Sequence, residues 1–132
     1  MREEIASFAL ARGDERVLEL DPAEDPTALP HDRAAFDLTV AERVLARCRR
    51  PELAVAELSR VTSPGGSLVV IERLGAVDPL VSLERDRYER QREPSHVRFL
   101  PDGDLRAMFE MNGLVLVRER RDGDDGWYLL RR

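Results

Sequence analysis

The chain has one cysteine, two histidines and, among its 21 basic residues, no lysine. Cys48 alone excludes an internal disulfide, and His31 and His96 beside it are too few soft ligands for a zinc site. The expectation is therefore no metal and a thiol that serves packing. No apolar run approaches the ~18 residues of a membrane span. The start, MREEIASFALARGDER, carries acidic residues early and only a short apolar stretch, which is not the build of a secretory signal. These absences predict a cytoplasmic protein with no membrane partner. A formal net charge of -5 argues against nucleic acid, whose phosphates are normally met by a basic face. The all-arginine composition is a bias that points to no site.

What the chain does have is alternating helix and strand signals within 132 residues, room for one domain and one core. Arg2 to Arg12 fits an amphipathic helix stopped by Gly13. ERVLEL, Glu15 to Leu20, reads as a short strand, and DPAEDPTALPHDR, with three prolines in thirteen residues, as a loop. FDLTV (Phe36 to Val40) is a second strand. PELAVAELSRV (Pro51 to Val61) is a helix with proline in its first turn, broken by Pro64, Gly65 and Gly66. SLVVIE follows as a strand with the continuous apolar character of one covered on both faces. PLVSLERDRYERQR is a charged helix with a narrow apolar stripe, read as a solvated, ion-paired surface. After the loop EPSHVRFLP, DLRAMFEMNGL closes a last helix at Asn112 and Gly113, and LVLVRERR and WYLLRR flank DGDDG as a hairpin. Strands separated by helices predict an α/β sandwich around a mostly parallel sheet.

Several of these segments, in this order and spacing, resemble the class I S-adenosylmethionine-dependent methyltransferases, in particular the small-molecule ubiquinone and menaquinone group. DPTALPHDRAAFDLTV is similar to the stretch that leads into that family's fourth strand. AELSRVTSPGGSLVVIE is similar to its next helix, turn and fifth strand, and REPSHVRFLPDGDLRAMFEMNGLVLVRER to the segment before and through its final hairpin. The resemblance runs from about Asp25 to Arg121. It implies a shortened Rossmann-like fold, a three-layer α/β sandwich with strand order 1-4-5-7-6 in the family's numbering and a C-terminal antiparallel hairpin, all as a single domain over residues 1–132.

The family's cofactor loop, Gly-x-Gly-x-Gly, lets the backbone approach the ligand without a Cβ in the way. Here GDERVLEL resembles the first strand, with Glu19 at its acidic position, but Asp21, Pro22, Ala23 and Glu24 follow in place of glycines. Either ERVLEL is the first strand and the loop, second strand and most of the third are missing, or it is the third strand and the chain is a C-terminal portion. Asp25 matches the family's adenine-binding acid, although Pro26 after it has no N–H; as a bland alternative it caps a turn. ERVLARC (Glu42 to Cys48) stands where the subgroup has a histidine motif. On the acceptor side the resemblance leaves Ser95, His96 and Arg98, with His96 and Arg98 as candidate catalytic residues for a small acidic or phenolic molecule. The alternative is that SHVR orders its loop. The expectation is a degenerate methyltransferase-like domain that binds no cofactor alone and works through binding or assembly. Against it stands an active S-adenosylmethionine-dependent enzyme completed by a second chain or copy. The shortening would leave Glu15 to Leu20 as an open edge, so a homodimer or a complete methyltransferase partner is expected there.

Overall fold

The computed structural model describes residues 1–21 and 23–132. Its sheet has five strands: β1 (Val17–Glu19), β2 (Phe36–Glu42), β3 (Thr62–Arg73), β4 (Val115–Asp122) and β5 (Asp125–Arg131). They lie in the order β1-β2-β3-β5-β4. β1 runs parallel to β2 and β2 to β3, while β5 is antiparallel to both β3 and β4, so the sheet is mixed. The helices are α1 (Glu3–Phe8), α2 (Pro51–Val61), α3 (Pro79–Arg92) and α4 (Asp102–Met111), with a 3-10 turn at Leu45–Arg47 after β2. No helix among the described residues is long and apolar enough to cross a membrane.

Alternation along the strands divides the core in two, because successive side chains point to opposite faces of a sheet. Leu68 and Val70 of β3 and Tyr128 and Leu130 of β5 meet Val55 and Leu58 of α2 and Leu105 and Phe109 of α4 on one face. Val69, Ile71, Trp127 and Leu129 meet Ile5 and Phe8 of α1 on the other. Each such fully buried side chain contributes roughly 1.5–3 kcal/mol relative to exposure. α3 contributes to neither cluster, and its one buried residue is Asp86.

Three expected boundaries move. α1 ends at Phe8, not at Arg12, because Leu10 takes a left-handed φ of 57°. Its N–H reaches Ser7 O at 3.2 Å and the N–H of Ala11 reaches Ala6 O at 3.0 Å, the paired bonds of a Schellman turn. β1 is shorter than ERVLEL. The Glu15 carboxylate turns back onto the N–H groups of Arg12 and Gly13, and Arg16 is clamped to Asp37 by its backbone and its guanidinium, so neither is free to extend the strand. The Pro-Gly-Gly segment does not end α2, which stops at Val61 with Thr62 already extended. Instead it forms a bulge inside β3: Phe36 pairs with Thr62, yet Leu38 pairs with Ser67. A Cβ on Gly66 would lie 2.8 Å from Ser63 O and 2.9 Å from Asp37 O, so only glycine fits the bulge. The bounds expected for α2 and α3 agree with those observed.

Candidate functional site

Two cavities open beside the sheet. One, about 490 Å³, lies at the amino ends of β2 and β3, against Asp37, Ser63 and Gly66. The other, about 620 Å³, lies at their carboxyl ends, where open α/β sheets bind ligands. The second is built from the ends of β2 (Glu42, Arg43) and β3 (Glu72, Arg73), the 3-10 turn (Ala46, Arg47), the last turns of α3 (Glu89, Arg92) and the loop after it (Glu93, Ser95, His96, Phe99).

Glu72 is 1% exposed and ends the apolar run of β3. Its carboxylate accepts the N–H groups of Leu45 and Ala46 at 3.1 and 3.2 Å, amides at the start of the 3-10 turn that have no other partner in a helix. Burial pushes its pKa up to about 7, against the opposing pull of those amides. A group poised there exchanges its proton near neutrality. Beside it, Arg43 holds a left-handed φ of 56°, fixed by its N–H on Ile71 O at 2.8 Å and its guanidinium on Asp125 at 3.0 Å.

His96 is buried, with Nε2 2.8 Å from Asp86 Oδ1. The same oxygen accepts the N–H of Phe99 at 2.8 Å. A carboxylate only accepts, so this pairing assigns a proton to Nε2. The loop is tied down by Val97 and Arg98 N–H groups on Ala46 O and by the Arg90 guanidinium on Val97 O.

The other expected residues scatter. Ser95 lines the cavity, but its hydroxyl is 2.8 Å from Glu93 Oε1, and it contributes to holding the Glu93 carboxyl below its usual range. Arg98 is exposed and does not line the cavity; the arginines there are Arg43, Arg47, Arg73 and Arg92. Glu19 is exposed at the end of β1, 3.4 Å from the Met1 amino group. Asp25 accepts from the Thr27 hydroxyl at 2.6 Å and the Thr27 N–H at 2.9 Å, bonds that lower its pKa. Neither acid lines the cavity. Pro22, in the place of the expected glycine loop, lies outside the described residues. Cys48 is buried, donates to Val44 O at 3.4 Å, and burial foremost pushes its thiol up to about 11. It stays protonated and packs.

Sequence reasoning missed Glu72 and Asp86. The signal for Glu72 was present: an acid closing a strand buried on both faces requires donors. Asp86 gave none, since it sits among like neighbours in a charged helix.

Comparison with known proteins agrees with this architecture. The uncharacterized methyltransferase YcgJ of Bacillus subtilis is 28% identical over 115 residues, 87% of this chain and 45% of its own. The demethylmenaquinone methyltransferase of Renibacterium salmoninarum is 46% identical over 50 residues, 38% of this chain and 21% of its own. The chain thus spans less than half the length of either relative. Among solved structures, a SAM-dependent methyltransferase of Thermotoga maritima superposes with a TM-score of 0.73 at 14% identity, over 97% of this chain and 87% of that one. The YcgJ structure gives 0.68 at 24% identity, over 74% of this chain and 42% of that one. At these identities the structures show the fold alone. Residues 3–70, just over half of the sequence, match the family described as "Methyltransferase domain", and the chain belongs to that family.

Proposed function

We propose that this methyltransferase-like domain does not hold S-adenosylmethionine by itself and acts by binding, through the cavity at the carboxyl ends of β2 and β3. The observation that carries this reading is how Asp25, expected to meet the cofactor, and Asp21, standing in place of the glycine loop, use their hydrogen bonds. After β1 the Asp21 carboxylate accepts from Ala23 N–H at 2.8 Å and Asp25 is engaged with Thr27. The same connection is drawn onto α2, with Leu29 N–H on Glu57 and the Arg60 guanidinium on the carbonyls of Leu29 and His31. No glycine occurs between Gly13 and Gly65 to let a backbone approach a ligand there. The residues present therefore do not fit the cofactor. The side-by-side parallel pairing of β1 and β2 supports β1 as the family's first strand rather than its third.

The cavity keeps the means to hold a small polar molecule. Arginine heads can meet a carboxylate or phenolate, and His96, oriented by Asp86, can accept or hold a proton at Nδ1. Membership of the menaquinone-like subgroup rests on the SHVR segment and on the short match to the Renibacterium enzyme. Calorimetric titration with S-adenosylmethionine and S-adenosylhomocysteine tests the reading. The expected result is no saturable isotherm tighter than ~1 mM, several kcal/mol weaker than micromolar binding. A micromolar isotherm rejects it.

A further inference from the structure

α3 is built inside out. Its inward face is polar: Asp86 is buried on His96 and Phe99, and Glu89 lines the cavity. Its apolar residues point to solvent, with Leu80 73% exposed, Leu83 59% and Tyr88 63%, preceded by Val77 at 93%. The helical period explains how both sets coexist. Leu80, Glu84, Arg87 and Tyr88 follow one another at spacings that keep them on one side, and Asp86 falls on the opposite side. Three large apolar side chains exposed together along one helix, none of them in either core cluster, mark a candidate interaction surface.

The charges on this face select the occupant. Glu84 and Arg87 lie one turn apart, both exposed, and neither has an ion-pair partner among the described residues. In an antiparallel copy of the same helix the order of the two charges is reversed. Each Glu84 then lies opposite the other copy's Arg87, twice across a twofold axis, while the leucines and Tyr88 close around them. We propose that α3 is a self-association surface and that the chain forms an isologous homodimer by antiparallel packing of this helix on its copy. A face of 14 residues is roughly 20 Å long. A contact of that length is short beside standard protein interfaces, so the dimer is expected to be weak and reversible. The copy would also cover the outer side of the helix whose inner side bounds the ligand cavity.

Sedimentation velocity over a wide concentration range reads this out. The wild type is expected to pass from monomer to dimer with concentration. Leu80→Glu is expected to stay monomeric with an unchanged circular dichroism spectrum and melting temperature, because Leu80 belongs to no core cluster. Glu84→Arg and Arg87→Glu are each expected to weaken the dimer at least tenfold, and the double exchange to restore it, since it re-creates complementary pairs. That rescue separates a specific helix pair from general stickiness. A wild type that is monomeric throughout overturns the proposal. So does a dimer that survives Leu80→Glu and vanishes in Leu18→Pro, which would place the contact at the β1 edge instead.

Discussion

Glu72 shows how one residue can carry both a structural cost and a chemical use. Its carboxyl is pushed up to about 7 in the folded chain from an ordinary 4.5, because burial penalises the charge more than the amide donors favour it. The folded state therefore binds a proton more tightly than the unfolded state between those two values, and stability falls as pH rises through that window. The size is about 3 kcal/mol at most between pH 4.5 and pH 7. Asp37 acts in the opposite sense and lower down: held well below its usual range by Arg16, it contributes stability that is lost only in strong acid. The two effects occupy different pH ranges and can be told apart. Denaturant titrations of the wild type from pH 5 to 8 are expected to show declining stability, and Glu72→Gln, which cannot ionise, a shallower decline over the same range. Parallel slopes for the two proteins would show that Glu72 is not the titrating group. Chemically, the same poise gives the cavity a group able to take or give a proton. Such a residue is legible in sequence only when its strand is already known to be buried on both faces. Asp86 is harder still, because its role depends on which side of α3 the loop at His96 comes to rest.

At the level of elements, what could be read was what local chemistry decides. Pro51 at a first turn and the apolar period after it define α2, Asp78 accepting from Leu80 N–H at 2.9 Å starts α3, and Gly123 in positive φ closes a tight hairpin between β4 and β5. Boundaries set by distant contacts could not be read. β1 loses its first residues to the Arg16–Asp37 clamp, made across 21 positions, and the Pro-Gly-Gly bulge exists because β3 must pair with both β2 and the end of β5. The end of α1 is the sharpest case. The sequence offers Gly13 as a stop, yet the left-handed position falls at Leu10, 63% exposed and held by two Schellman bonds. A side chain in that conformation costs roughly 1–2 kcal/mol. Leu10→Gly is expected to raise stability by roughly 0.5–1 kcal/mol in urea denaturation, the relief of strain being partly offset by greater freedom of the unfolded chain. A loss of stability would mean that the Leu10 side chain does more for the α1 turn than its exposure indicates.

Taken whole, the molecule concentrates its stability unevenly. The centre is β3, fully buried from Leu68 to Val70, paired on one side with β2 and on the other with β5, and sandwiched between the two core clusters. From there packing thins outward. β1 adds three residues, of which Leu18 alone enters the core, and β4 is exposed along much of its length with four charged residues from Arg118 to Arg121. α3 is attached chiefly through Asp86 and the Arg90 bond to Val97. Segments with few buried apolar contacts open locally at a small fraction of the global free energy, while a doubly covered central strand opens only when the whole domain unfolds. Amide hydrogen exchange followed by mass spectrometry at low protein concentration is therefore expected to rank protection β3 and β5 first, α2 and α4 next, and α3 last among the helices of more than two turns, despite its being the longest. In the cavity the expected consequence is asymmetric: the wall made by Glu72 and the 3-10 turn is held by the core while the wall made by Glu89 and Arg92 is not, so a ligand that orders α3 uses part of its binding free energy in doing so. Protection in α3 equal to that in α2 in the monomer would contradict this hierarchy, and would mean that the polar anchor at Asp86 alone holds the helix as firmly as an apolar core holds the others.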